Sequence, residues 1–126
     1  MATPDYIDVV KEALKGAGLA DVTRKLPDAT RKQEAVMVFP TEPAETSAYF
    51  DIFATRDLSA IVLVKRESDE QAENEAWLAA DTLKAADLAS ANGTYRVSSV
   101  SVGMPRPLNW DESGYDVWMT TVTIHE

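Results

Sequence analysis

The residues that could carry catalysis in this sequence are few, and one histidine decides most of the question. His125 is the only histidine of the 126-residue chain and lies next to its last residue. Chain termini usually fray, so we expect that a serine, histidine and aspartate relay cannot be assembled within one chain. A site with several histidine ligands is excluded by the count alone. The sequence therefore predicts no catalytic residue.

Acidic and glycine motifs also give no sign of a binding site. Asp111-Glu112 and Glu67-Ser68-Asp69-Glu70 could ligate a hard cation, but neither has the alternating ligands and central glycine of a calcium loop. Gly16-Ala17-Gly18 follows a predicted helix instead of joining a strand to a helix, so it does not favour phosphate or dinucleotide binding. The chain has no cysteine, which excludes thiolate metal sites. We predict no metal and no cofactor.

Composition and charge restrict the class of partner. Hydrophobic residues make up 45% and charged residues 26%, as in an ordinary soluble domain, and we expect residues 1–126 to form one. Twelve basic residues against 21 acidic ones give a net charge of -9, which disfavours free nucleic acid as a direct ligand. No apolar run is long enough to cross a bilayer and no signal peptide is evident, so we expect a soluble protein made in the cytoplasm.

The elements that position these residues begin with an amphipathic helix. Thr3 is a suitable N-cap and Pro4 suits the first helical position. Gly16 and Gly18 are expected to end the helix. Apolar residues recur at spacings of three and four, which predicts one buried stripe: Ile7, Val10, Ala13 and Leu14.

The middle of the chain predicts several strands. Asp21–Leu26 and Glu34–Phe39 each have strand character, and Thr41–Ser47 is expected to be an exposed loop. Tyr49–Thr55 and Ser59–Lys65 resemble the two arms of a hairpin, with Arg56-Asp57-Leu58 at or near the turn. The residues Ile61 to Val64 are apolar on both parities, which predicts a strand covered on both faces by helices or by another subunit.

A long helix and two strands complete the predicted order. Ser68 is a good N-cap for a helix from Asp69 to about Ala89. Its small residues form a narrow stripe for packing on a sheet, with Trp77 beside it: Ala72, Ala76, Ala79, Ala80, Leu83 and Ala86. Asn92-Gly93 predicts a turn before a strand that runs from Tyr95 to Val102. A loop over Met104–Gly114 then leads to a last strand, Tyr115–Ile124. Two helices on one mainly antiparallel or mixed sheet make an α+β fold.

Aromatic residues in loops indicate contact surfaces. Large aromatic side chains are costly to leave in water and are typical anchors of protein interfaces. Five residues in or beside the two Pro-bearing loops are therefore predicted interface residues: Tyr49, Phe50, Pro105, Leu108 and Trp110. Trp118, within the last strand, is expected to pack in the core.

This order of elements resembles the tail-terminator or minor capsid proteins of long-tailed bacteriophages. The resemblance rests on the N-terminal amphipathic helix, on the strand Ile61–Arg66 before the Ala-rich helix Glu73–Ala86, and on the C-terminal region. There a strand (Val97–Met104), a Pro and aromatic segment, the turn Asp111-Glu112-Ser113-Gly114 and an alternating strand follow one another.

The resemblance implies a structural virion protein without enzymatic activity. Several copies, six in the expected ring, would cap the head-proximal end of the tail tube and join it to the head completion or neck proteins. Genomic DNA would pass through the ring without specific binding, because carboxylates repel phosphates. A neighbouring head-tail connector or neck protein is the nearest alternative.

Two other classes of protein are compatible with the sequence. A small hydrolase or transferase could use carboxylates alone, and a deep pocket lined by two acids with mutually perturbed pKa values would favour it. An acidic monomeric binding module, such as an immunity or antitoxin protein, could mask a basic partner. A stable monomer with one concentrated acidic face would favour that module.

Overall fold

The computed structural model describes residues 5–24, 34–41, 44–45, 56–108 and 114–126. In chain order, its elements are α1 (Tyr6–Gly16), β1 (Val22–Thr23), β2 (Ala35–Pro40), β3 (Ala44–Glu45), β4 (Arg56–Arg66), α2 (Asp69–Ala85), β5 (Ser99–Val102), β6 (Arg106–Pro107) and β7 (Asp116–His125). The strands form one sheet with the order β1-β2-β4-β7-β5, in which β3 pairs with β4 and β6 pairs with β7. β1 and β2 are parallel and the other pairs are antiparallel. The mixed sheet with two helices confirms the predicted α+β class.

Helix α1 ends as its glycines predict. Gly18 has a φ of 93°, which a residue with a side chain rarely adopts. This turn lets the Leu19 amide donate to the Leu14 carbonyl at 3.3 Å, and it places Leu19 in the core. At the other end, the residue that caps the helix is Asp5, whose side chain makes no capping bond. The predicted cap, Thr3 and Pro4, lies outside the described residues.

The prediction of a hairpin turn at Arg56-Asp57-Leu58 is wrong. These residues belong to β4, which is continuous from Arg56 to Arg66. Asp57 pairs with His125 and Leu58 pairs with Ile124 on the neighbouring strand. Polar residues beside Leu58 suggest a turn in the sequence. In an antiparallel strand successive side chains point to opposite faces, so Asp57 and Ser59 lie on one face while Leu58 is buried on the other. The other predicted arm, Tyr49–Thr55, lies outside the described residues.

The prediction of an exposed loop over Thr41–Ser47 also requires correction. Ala44 and Glu45 form a short strand that pairs with Asp57 and Arg56 of β4. The amide of Thr41 donates to the Ser59 carbonyl at 3.0 Å, so this segment follows the edge of β4. Of the predicted loop, only these three residues are described.

Helix α2 begins as predicted and ends sooner. The Ser68 hydroxyl accepts a hydrogen bond from the Gln71 amide at 3.4 Å, which confirms the N-cap. The helix ends at Ala85 rather than near Ala89, because Ala86 is extended and Leu88 enters the core. In the core, the Tyr95 hydroxyl donates a hydrogen bond to the Leu88 carbonyl at 2.6 Å. Tertiary packing thus overrides the helical propensity of the alanines.

The two faces of the sheet carry separate clusters of apolar side chains. Both helices pack on one face, where Val36, Val62 and Val122 meet residues of α1 and the Ala-rich stripe of α2. Neither described helix packs on the opposite surface, which we call the helix-free face, and it carries a smaller cluster of Met37, Leu63 and Val117. Residues of both parities in β4 are therefore buried, as the apolar run from Ile61 to Val64 predicts. The described helices cover only one of the two faces, so cover of the other face by another subunit stays a prediction.

The two C-terminal strands differ from the prediction at both ends of their pairing. The first strand begins later than predicted, and pairing continues into the predicted loop. The predicted strand Tyr95–Val102 begins only at Ser99. Within the predicted loop, Arg106 and Pro107 pair with Met119 and Trp118 of β7. Between Val102 and Arg106 the register with β7 slips by one residue, which is a β-bulge next to Gly103. β5 and β6 are thus two parts of one bent edge.

Candidate functional site

The helix-free face contains the one described constellation that resembles a catalytic relay. His125 Nδ1 lies 2.9 Å from Asp57 Oδ1, and His125 Nε2 lies 2.9 Å from Ser101 Oγ. The expectation that terminal fraying prevents such a relay is wrong, because His125 is the last paired residue of β7 and both neighbouring strands hold it. Sequence spacing gave no signal of this, since the relay depends on the register of three strands.

The relay fits a cross-strand clamp better than a catalytic centre. The His125 ring contacts Asp57 of β4 through Nδ1 and Ser101 of β5 through Nε2, so β4, β7 and β5 are joined. Next to it, Ser59 Oγ and Thr123 Oγ1 lie 3.0 Å apart and extend the polar row. Ser101 is exposed on the sheet. An oxyanion formed there would be solvated by water, whereas a catalytic centre stabilises it with preorganised hydrogen-bond donors.

A second candidate surface is the outward side of α2, which we call the acidic helix face. It consists of Glu70, Asn74, Trp77, Leu78, Asp81 and Lys84, all exposed. Trp77 is 40% exposed and Leu78 is 42% exposed, although large apolar side chains usually lie inside. The predicted Ala-rich stripe lies on the opposite side, where Ala72, Ala76, Ala79, Ala80 and Leu83 are buried.

A third candidate surface is the open edge formed by β5 and β6, which we call the basic edge. It consists of Arg96, Val97, β5, Met104 and Arg106. β5 is the last strand of the sheet order, and Met104 is 75% exposed. The sequence from 88 to 108 contains these two arginines and no acidic residue, whereas the whole chain carries a charge of -9.

The five predicted interface residues are only partly located. Pro105 is buried within the chain. Leu108 is half-buried and packs against the smaller apolar cluster, and its amide donates to the Val117 carbonyl at 2.8 Å. Tyr49, Phe50 and Trp110 lie outside the described residues. Trp118 packs partly buried against the main core, and its Nε1 donates to Asp69 Oδ1 at 3.4 Å.

Arg66 forms a buried ion pair that the sequence did not reveal. Its guanidinium is 2% exposed and holds Glu75 through two hydrogen bonds of 2.7 and 3.0 Å. It also contacts Asp21 at 3.3 Å and the Ala20 carbonyl at 3.0 Å. Burial acts to lower the pKa of Arg66, but the carboxylates, Glu75 above all, outweigh it and raise the pKa. Arg66 therefore stays charged and joins β4 to α2 and to the α1–β1 connection.

Asp5 joins the start of α1 to the turn after α2. Its carboxylate accepts hydrogen bonds from the Ser90 hydroxyl at 2.6 Å and from the amides of Ala91 and Asn92 at 3.0 and 3.2 Å. Desolvation acts to raise the pKa of Asp5, but these hydrogen bonds prevail and lower it. Desolvation and the nearby carboxylates raise the pKa of Tyr95, behind this turn, to about 12. The predicted turn at Asn92-Gly93 is confirmed by the φ of 77° at Gly93.

Within the described ranges, no three histidine or acidic side chains come together as a metal-binding group. Neither described helix is long and apolar enough to cross a membrane. What stands out among these residues is a set of exposed apolar side chains on charged surfaces and a polar clamp. Such features are typical of a protein that acts through contacts with other proteins.

The class of protein follows from a family comparison. A family model described as bacteriophage tail terminator protein matches residues 13–125. The chain therefore belongs to the bacteriophage tail terminator family, as its pattern of elements predicts. A comparison with curated proteins finds no match. Proteins of this family are structural rather than enzymatic, so the chain is a structural component of the phage tail and of the virion. The family also implies contacts with tail and head proteins.

Proposed function

We propose that this protein forms a ring of six copies that caps the head-proximal end of the tail tube. Residues 1–126 act as one domain, and the ring stops tube polymerisation and presents a surface to the head completion or neck proteins. The observation that carries this proposal is the family match over residues 13–125. A ring follows when a head-to-tail contact between copies closes by rotation instead of continuing as a filament.

The described surface supports a role in assembly. Four large apolar side chains are exposed there, and they occur on two different surfaces, the acidic helix face and the basic edge. A head-to-tail ring needs two different contact surfaces on each copy. The net charge of -9 favours passage of DNA through the ring without binding, because phosphates gain little from an acidic wall.

Native mass spectrometry of the purified protein, together with negative-stain micrographs, tests the ring. We expect one closed species with six copies and a central opening. Each contact should bury at least about 1,000 Å² if it is specific. A protein that stays monomeric at high concentration and is absent from purified virions contradicts the proposal.

The position on the tail is tested in phage assembly. Without this protein, we expect tail tubes of uncontrolled length that do not join heads. Antibody labelling of finished particles should mark the head-proximal end of the tube. Tubes of normal length that still fail to join heads would favour the neck or connector alternative. A protein that is monomeric, absent from purified virions and bound to a basic partner would favour the immunity-like module.

A further inference from the structure

Charge is unevenly distributed between the acidic helix face and the basic edge. The edge carries Arg96 and Arg106, both exposed, and neither has an ion-pair partner among the described residues. The helix face carries two acids, Glu70 and Asp81, against one lysine, Lys84, and neither acid has an ion-pair partner among the described residues. Each surface therefore presents charges that the described part of the same chain leaves uncompensated.

The same two surfaces hold all the large exposed apolar side chains of the described residues. Trp77 and Leu78 lie on the acidic helix face, and Val97 and Met104 lie on the basic edge. Protein interfaces combine an apolar centre with charged residues at the rim. Each surface thus has both parts of an interface, with the sign of the charge reversed between them.

Among the described residues, no strand pairs with the outer side of β5, so the basic edge is open there for part of its length. β5 pairs with β7 on one side and is the last strand of the sheet on the other. Its sequence, Ser-Val-Ser-Val, contains none of the charged or proline residues that usually protect an edge strand. The bulge and Pro107 interrupt regular pairing farther along. An open, unprotected strand is unusual for a surface that faces only water.

We propose that the basic edge of one copy docks on the acidic helix face of the next copy. The proposal rests on the ring proposed above and assigns its contact surfaces. A second copy is the occupant that the charges favour, because every chain carries both complementary surfaces. Pairing either surface with itself would bring like charges together, which disfavours a two-fold dimer. The contact is therefore head-to-tail, as a closed ring requires.

Charge reversal tests this assignment by native mass spectrometry and light scattering. An edge variant carries Arg96→Glu and Arg106→Glu, and a helix variant carries Glu70→Lys and Asp81→Lys. Each variant alone should require at least about tenfold more protein to form the ring, because like charges then face each other. Lys11→Glu with Lys15→Glu on α1 makes the same change of net charge as the edge variant, and it should leave the ring intact.

The acidic edge of the edge variant is complementary in charge to the basic helix face of the helix variant. Recovery of the ring when the two changes are combined is therefore the decisive measurement. A chain with all four substitutions should form the ring again. An equal mixture of the edge and helix variants should form rings in which the two masses alternate. Circular dichroism confirms that each variant is folded.

The outcomes separate this inference from the ring itself. If the wild type forms a ring and either double variant forms it equally well, the assigned surfaces are wrong while the ring stands. Failure of both the four-substitution chain and the mixture to recover the ring also overturns the assignment. A wild type that stays monomeric at every concentration overturns the ring and the assignment together.

Discussion

Replacing Arg66 with methionine should cost this protein a large part of its stability. The substitution keeps an unbranched apolar stem in place of the methylene groups of Arg66, and it removes the guanidinium charge that compensates Glu75, whose side chain is only 17% exposed. Removing one partner of a buried ion pair typically costs about 3–5 kcal/mol, because the other charge stays buried and unpaired. The Asp21 contact adds little, since that side chain is 60% exposed and solvent screens it.

We expect a loss of about 3 kcal/mol in the free energy of unfolding, at the lower end of that range because Glu75 retains some contact with water. For a chain of this size, such a loss corresponds to a fall in melting temperature of about 10 °C. Urea unfolding monitored by circular dichroism measures the free energy, and calorimetry measures the melting temperature.

Two further variants examine the reason for this loss. Arg66→Met combined with Glu75→Leu removes both charges and should recover most of the lost stability, since no unpaired charge stays buried. Glu75→Gln should weaken the fold by about 1–3 kcal/mol, because the guanidinium loses its charged partner and retains Asp21. An Arg66→Met protein less than about 1 kcal/mol below wild type would refute the reasoning, as would a double variant no more stable than Arg66→Met.

The other predictions concern Asp5, His125 and Trp110. Asp5→Ala should lower the free energy of unfolding by about 1 kcal/mol at pH 7 through the lost hydrogen bonds, discounted for exposure. Folding lowers the pKa of Asp5 below its ordinary 3.8, so the stability difference between wild type and Asp5→Ala should be present above pH 3.8 and vanish as the pH falls through the folded pKa. A stability difference that is undiminished at pH 2 would contradict this prediction. His125→Ala should lower stability by about 1–2 kcal/mol and leave ring formation intact. A fluorophosphonate probe should not label Ser101, and labelling of wild type that His125→Ala abolishes would establish catalysis. Trp110→Ala should impair assembly with neighbouring proteins more than it lowers the melting temperature, and a loss of several kcal/mol in the isolated subunit would place Trp110 in the core instead.

The elements whose signals are local follow directly from the sequence. The stripe of α1, the glycine that ends it and the Ser68 cap depend on residues within one or two turns, so spacing alone predicts them. The apolar run in β4 predicts burial on both faces for the same reason. From these elements the α+β class and the resemblance to tail terminators could be inferred, and the family match confirms both.

What the sequence could not determine depends on pairing between distant strands. Asp57, Ser101 and His125 have no spacing in common, and only the registers of β4, β5 and β7 bring them into contact. The same registers make a predicted hairpin turn the first residues of a paired strand and place a bulge after β5. Arg66 and Glu75 lie near each other in sequence, yet only packing of α2 against β4 buries their pair. Register and packing arise from the sum of many weak contacts across the sheet, so tertiary structure decided them and no local pattern could.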